Sequence, residues 1–403
     1  MEILPILSAL RRNRVGAILI GIQIALTLAI VCNSLSIIQD RLSRMQRPSG
    51  IDEANIFTFD NIWVGEPKDV ADKIKQDLAA LRSIPDVVDA SVSNSYPLRG
   101  GGWSNGVELQ PNQKVTSART ALYFGDEHLL QTLGLRMLAG RWFTADEIVP
   151  VGMNNAAIPK VEVISRVLAN ELFPAGDAIG KSVYLVDRGS TQIVGIVDRA
   201  ETPWTSTSFA AREDSTFIPW LFANNGVYYI VRTRPGKQSD VMHVVEQRLY
   251  DLDRNRVIRK LKPFSQTRAD AYKSDRALGL ILGTVCGLLL IVTAFGIVGL
   301  TTYWVAQRRR QIGVRRALGA RRIDILRYFQ TENLLIAGGG GVLGIGLALA
   351  LNLWLVTHLE MTRISIGYVI AAATIVLGLS QAAAVFPAFR AATLPPAMAT
   401  RNV

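Results

Sequence analysis

Four apolar runs constrain this chain more than any other feature. They lie at 15–38, 277–305, about 334–357 and about 366–386. Each is long enough for a helix to cross a hydrocarbon core of roughly 30 Å, which takes about 20 residues. Inside lipid a backbone must satisfy its own polar groups, so runs of this length are expected as transmembrane helices. The first carries no charged residue and exceeds the roughly 7–15 apolar residues of a cleavable signal peptide. It lacks a small-x-small cleavage pattern, and Ala-Ile-Val before Cys32 lacks the small residue that lipoprotein processing expects, so it reads as an uncleaved anchor. The second run has 29 residues, about 43 Å as a helix, so it is expected to continue beyond the membrane as a stalk. In it Gly279, Gly283 and Gly287 recur every fourth residue, a pattern suited to helix packing or dimerisation.

Charge orients these runs. The formal net charge is +11, yet residues 39–276 hold 30 Lys and Arg against 29 Asp and Glu. The excess sits at Arg11, Arg12 and Arg14, in the connection between the second and third runs, and at Arg390 and Arg401. Lys/Arg-rich short loops remain cytoplasmic. The crossings then place both termini and the connection in the cytoplasm and the large polar block outside, with THLEMTRIS a short outer link. A basic balance confined to membrane flanks argues against nucleic acid as a partner. Residues 1–14, with Ile3, Leu4, Ile6, Leu7 and Leu10 before the arginines, suit an amphipathic helix in the cytoplasmic interface. The tail, 387–403, is expected on the same side.

The polar block, 39–276, alternates strand and helix signals. IFTFDNIW, PKDVADKIKQDLAALRSI and VVDASVSNS read as strand, helix and strand; GVYYIVRTRP, KQSDVMHVVEQRLYDLD and VIRKLKPFS repeat that order near its far end. One subdomain is therefore expected from about 50–96 and 216–265, with a glycine-punctuated, strand-rich second subdomain inserted at about 97–215. The fold class is an α-helical membrane protein with four transmembrane helices and a large α+β extracytoplasmic domain. Cys32 and Cys286 both lie in apolar runs, so this block has no disulfide framework.

Catalytic and metal signatures are missing. Three histidines (128, 243, 358) and two cysteines give no ligand spacing. Ala175 to Ser182, AGDAIGKS, approximates a phosphate-binding loop, but it leads into strand-like SVYL rather than a helix, so a turn is expected. The spans contain Gln23, Asn33, Asn352 and Gln381 but no ionisable interior residue, which argues against an ion-coupled transporter. Interhelical hydrogen bonding is the expected use of such isolated polar groups.

The connection 306–332 has more order than a topology marker needs. In QRRRQIGVRRALGARRIDILRYFQTE, eight arginines accompany Ile312, Gly313, Ala317, Leu318, Gly319 and the amphipathic IDILRYF. Arginines 308–310 and 315–316 could each gain about 1 kcal/mol from anionic headgroups. Gly313 and Gly319 are expected to permit turns or close backbone approach. Ile323, Ile325, Leu326, Tyr328 and Phe329 are expected to present apolar side chains to a partner or the membrane.

RRRQIGVRRALGARRIDILRYFQTEN, the tail PAFRAATLPPAMATR, and GLRMLAGRWFTADE with VEVISRVLANELFPAGDAIGKSVYL and IVGIVD make the chain similar to the MacB/FtsX-like permeases, the type VII ABC transporters. That resemblance implies a non-catalytic permease of the bacterial inner membrane with a porter-like periplasmic domain and no cofactor of its own. It implies pairing with a second permease, as homodimer or heterodimer, and with cytosolic ATPase subunits encoded separately, which use ATP and Mg. A periplasmic adaptor and an outer-membrane component are further implied partners. Its mechanism would be mechanotransmission: ATP-driven motion enters through the basic connection and drives efflux of peptides, antibiotics or related amphiphiles. Lipoprotein extraction and regulation of a cell-wall hydrolase are the alternatives. The residues expected at the ATPase contact are Arg310, Gln311, Ile312, Gly313, Arg315, Arg316, Leu318, Gly319, Arg322, Ile323, Leu326, Arg327 and Phe329. Gln307 and Gln311 stand where such permeases often carry acids, which implies a less acidic contact.

Overall fold

The computed structural model describes residues 14–65, 67–152, 157–185, 189–205, 213–359 and 363–393. The expected interfacial helix at 1–14, apart from Arg14, and the tail beyond 393 lie outside the described residues. Two compact units divide the chain: Met1–Gln46 with Ser274–Val403, and Arg47–Lys273.

The first unit is helical. Its four long helices are α1 (Arg14–Met45), α7 (Lys273–Gln307), α9 (Arg322–Leu359) and α10 (Ile366–Ala392), each with a stretch long and apolar enough to cross a membrane. A short helix, α8 (Arg309–Ala317), joins α7 to α9. α1 outruns its apolar stretch by two turns, where Asp40 pairs with Arg44 and Arg41 with Asp275 of α7. α9, at 38 residues, spans about 57 Å and merges the end of the basic connection with the third apolar run. The expected boundary at 332 is therefore not a break in structure.

Small residues bring α1 and α9 together. A Cβ on Gly340 would fall 2.6 Å from the Gly21 carbonyl oxygen, and one on Gly344 would fall 2.9 Å from that of Ala25. With no hydrophobic effect between helices in lipid, such approach supplies the packing. Polar residues of the apolar runs bond within this bundle: Thr27 to Thr293 at 2.8 Å, Asn33 Nδ2 to the Ala348 carbonyl at 3.2 Å, and Asn333 Nδ2 to the Ser380 carbonyl at 2.9 Å.

The second unit holds two main sheets. An antiparallel sheet, in spatial order β13 (Arg256–Pro263), β1 (Ile56–Trp63), β12 (Gly226–Thr233) and β2 (Val87–Ser93), draws on both ends of the unit. Phe57 and Phe59, two residues apart, point to one face with Tyr229 and Val231. Against them pack Ile74, Leu78 and Leu81 of α2 (Val70–Arg82) and Val241, Val245 and Leu249 of α5 (Gln238–Leu252), spaced as one helical face. Within it, Arg256 donates two hydrogen bonds to Asp77, at 2.7 and 3.0 Å, and Tyr229 Oη donates a third at 2.7 Å.

The second sheet runs β5 (Met137–Gly140), β9 (Gly189–Val197), β7 (Val161–Ser165), β10 (Ser215–Ile218), β4 (Ala118–Phe124), β3 (Trp103–Glu108) and β8 (Ser182–Leu185). An additional β8–β9 pairing closes six of these strands into a ring, leaving β5 outside it. A boundary at 216 would cut β10, which pairs with β4 and β7, so the seam lies further along the chain. Two small helices, α3 (Leu129–Leu133) and α4 (Arg166–Leu172), and strands β6 (Val149–Val151) and β11 (Trp220–Phe222) complete this part; α6 (Phe264–Ala271) ends the unit. The AGDAIGKS segment is a turn between α4 and β8, with Gly176 and Gly180 at φ near +80°.

Candidate functional site

The basic connection is a short helical hairpin whose ends are capped by its own sequence. Helix α8 stops at Gly319, which has φ +99°. Gly319 N–H donates to the Arg316 carbonyl at 3.2 Å and Ala320 N–H to that of Arg315 at 3.1 Å. That pair of bonds is the Schellman stop, which glycine favours because its left-handed backbone costs it little. Two residues after Gly319, Arg321 N–H donates to the Asp324 carboxylate at 3.0 Å. The third residue of α9 thus caps the helix start, and its negative charge suits the N-terminal end of the helix dipole. Gly313, by contrast, is a buried residue within α8 and makes no turn.

Side chains then fix the hairpin to α10. Ile312, Ile325 and Phe329 are buried with Ala388, Ala391 and Ala392, with Leu326 and Tyr328 packed partly against them. Phe329 is only 3% exposed. The expectation that Ile325 and Phe329 face a partner is therefore corrected: spacing gave the apolar stripe of α9, and the alanine surface of α10 covers part of it. Outward instead stand Val314, Leu318 and Ile323, exposed at 50, 83 and 47%. Exposed arginines 309, 310, 321, 322 and 327 surround them in sequence.

Arg308 does not reach for headgroups. Its guanidinium donates to both carboxylate oxygens of Glu332, at 2.8 and 3.0 Å, and the carboxylate is buried. This bidentate pair clamps the start of the hairpin to α9, across the turn. Arg315 lies over the Tyr328 ring, 5.2 Å from its centroid. Gln311 is exposed and, with Arg308, Ile312, Arg315 and Tyr328, lines a cavity of about 160 Å³. Arg316 is half-buried, and its Nε has no hydrogen-bond partner among the described residues.

The sequence reading assigned no partner to Glu332, although it is one of only two acids in a basic segment, 24 residues from Arg308. The glycines expected for helix packing or dimerisation are not the ones that bring helices together in this unit. A Cβ at Gly279, Gly283 or Gly287 would meet nothing within 4 Å, whereas Gly340 and Gly344 touch α1 backbone.

Outside the helical unit, burial perturbs several carboxyls of the second sheet and its surroundings. Burial pushes Glu162 of β7 up to about 8. Glu201 rises to about 7 through burial and then repulsion from Glu213. Asp214 rises to about 7 through burial and then Glu171 and Glu213. Among the described residues no group of His, Cys, Asp and Glu could hold a metal ion.

Four membrane-length helices joined to a large α+β domain, with a capped basic hairpin between the second and third helices, define a permease-type architecture. Residues 283–396 match the FtsX-like permease C-terminal family, and residues 15–247 match the MacB-like periplasmic core domain. The chain belongs to the MacB/FtsX-like permease family. It is 25% identical over 327 residues to the macrolide export ATP-binding/permease protein MacB of Marinobacter nauticus, covering 74% of this chain and 48% of that protein. It is 27% identical over 338 residues to the pyoverdine export ATP-binding/permease protein PvdT of Pseudomonas syringae pv. tomato, covering 80% and 47%. The chain thus spans about half the length of the curated relatives it matches. The crystal structure of the periplasmic region of MacB from Actinobacillus actinomycetemcomitans aligns at 15% identity and a TM-score of 0.34, over 56% of this chain and 97% of that one.

Proposed function

We propose that the chain is the membrane-inserted permease of a type VII ABC transporter, with the basic hairpin in the cytoplasm and the Arg47–Lys273 unit outside. In this reading a cytosolic ATPase pushes on the hairpin, and the motion drives export of peptides, antibiotics or related amphiphiles from the outer side. Relatives named for macrolide and pyoverdine export support that substrate range. The observation that carries the coupling role is the hairpin itself: capped at its turn, clamped by Arg308–Glu332, and carrying Leu318 and Ile323 exposed. Exposed apolar anchors ringed by charge are the usual make-up of a contact surface. Among the described residues nothing lies within 4 Å of a Cβ added at Gly279, Gly283 or Gly287 of α7, which supports giving that face to a second permease.

The test is a reconstituted permease–ATPase complex. Leu318→Ala with Ile323→Ala should weaken the complex by about tenfold or more, as truncation of two interface anchors does, and lower permease-stimulated hydrolysis in step. Unchanged affinity together with unchanged hydrolysis would remove the hairpin from the coupling path.

A further inference from the structure

A cavity of about 440 Å³ opens within the Arg47–Lys273 unit, where the turn after β2 meets β13 and α6. Its size falls among small-molecule sites, which run to roughly 300–1,000 Å³. Arg99, Lys260 and Lys262 line it against one lining acid, Asp270, so its wall is positive.

These cations are only partly neutralised. The Arg99 guanidinium lies 3.6 Å over the Tyr228 ring and donates to the Gly101 carbonyl at 3.0 Å, both neutral partners. Lys260 Nζ is 3.5 Å from Asp60, and Lys262 Nζ is 2.6 Å from Asp270, whose side chain is exposed. The backbone is bent to place two of the walls. Lys260 has φ +54° where β13 slips register against β1, and Leu98, on the facing turn, has φ +61°. A bulge re-aims the side chain it carries, and non-glycine residues held in the left-handed region concentrate at ligand clamps.

A second observation points to a ligand oxygen. Thr267 lines the cavity, is 2% exposed, and its Oγ1 has no hydrogen-bond partner among the described residues. A buried hydroxyl of this kind calls for a partner, and an acceptor in the cavity supplies one.

We propose that this cavity binds an organic anion. Its carboxylate or phosphate group sits among Arg99, Lys260 and Lys262 and accepts a hydrogen bond from Thr267 Oγ1, while an apolar or aromatic body lies against Tyr96. The site belongs wholly to the second unit, so it stands whether or not the basic hairpin couples to an ATPase.

The experiment uses the full chain in phosphatidylcholine nanodiscs, titrated with phenyl phosphate and, as neutral control, benzyl alcohol. Phenyl phosphate should bind saturably and in preference to benzyl alcohol. Arg99→Gln and Lys260→Gln should each weaken it about tenfold, the worth of one charge-assisted hydrogen bond. Lys260 is 62% exposed, so its variant keeps the test valid should Arg99→Gln fail to fold. Thr267→Val should weaken binding while leaving the thermal transition in place. Discs doped with phosphatidylglycerol separate the sources: competition assigns the site to a lipid headgroup, and unchanged affinity assigns it to a soluble anion. Binding no better than that of benzyl alcohol, or binding indifferent to the charge variants, overturns the proposal.

Discussion

Glu162 offers the sharpest test of how the second sheet is built. It lies on β7, fully buried, and alternation along the strand puts it on the face of Ile164, which belongs to the hydrophobic core of that sheet. Neither carboxylate oxygen has a hydrogen-bond partner among the described residues. Burial alone carries its pKa from 4.5 up to about 8. The folded chain therefore keeps this proton near neutrality while the unfolded chain releases it. Between pH 4.5 and 8 the native state binds more protons, so stability must fall as pH rises through that window and level off on either side. One proton over the 2.5 units from 4.5 to 7 amounts to about 3 kcal/mol, at 1.36 kcal/mol per unit.

Glu162→Gln removes that titration and keeps the shape. Glu201 and Asp214 also have raised pKa values and titrate in the same window, so the quantity to follow is the difference between variant and parent at each pH. Hydrogen exchange of peptides covering β7 and β9, on the full chain, reads it locally. The variant's advantage should grow by about 3 kcal/mol from pH 4.5 to 7. A difference independent of pH would mean that Glu162 is ionised in the folded state, with a cation beside it, and would refute the reasoning.

Three further outcomes follow from the helical unit. Glu332→Ala strands the Arg308 guanidinium and should cost about 3–5 kcal/mol, seen as a lower unfolding temperature, whereas Arg308→Met with Glu332→Leu should recover most of it. Gly319→Ala forces a side chain into φ +99° and should cost about 1 kcal/mol or more in the same assay, with Gly319→Asn milder. Gly344→Leu cannot fit against the Ala25 backbone and should lower the unfolding temperature, whereas Gly346→Leu, where an added Cβ meets nothing within 4 Å, should leave it nearly unchanged.

What the sequence revealed depended on whether a pattern was local. Period-two alternation in IFTFDNIW and the Ile74, Leu78, Leu81 stripe mark β1 and the buried face of α2, because those patterns are imposed by a neighbouring core. The ring of the second sheet was not readable. β8 pairs with β3, some 75 residues earlier, as well as with β9, and nothing in SVYL names a partner at that distance. The basic connection shows the same limit. Gly319 and Asp324 are local signals and act locally, as stop and cap. Phe329, however, turns inward because Ala388, Ala391 and Ala392 offer a flat surface some 60 residues later. An amphipathic stripe says that one face is apolar; which neighbour covers it is decided by the remainder of the fold.

That inward turn matters for the proposed coupling. Had Phe329 been the contact, a partner would have touched α9 through a side chain free to change rotamer. With Phe329 and Ile325 packed on α10, and Arg308 clamped to Glu332, the exposed Leu318 and Ile323 are mounted on a fixed body. α9 continues without interruption from Ile323 on its first turn to Gly340 and Gly344, where its backbone lies against α1. Close-packed contacts of this kind deform little, so in the proposed coupling a displacement at Ile323 would be passed on as rigid-body movement of α9 and of the helices packed on it. In the proposed coupling, Glu332 and the two alanine-facing apolar residues would stiffen the cationic connection against a push from outside.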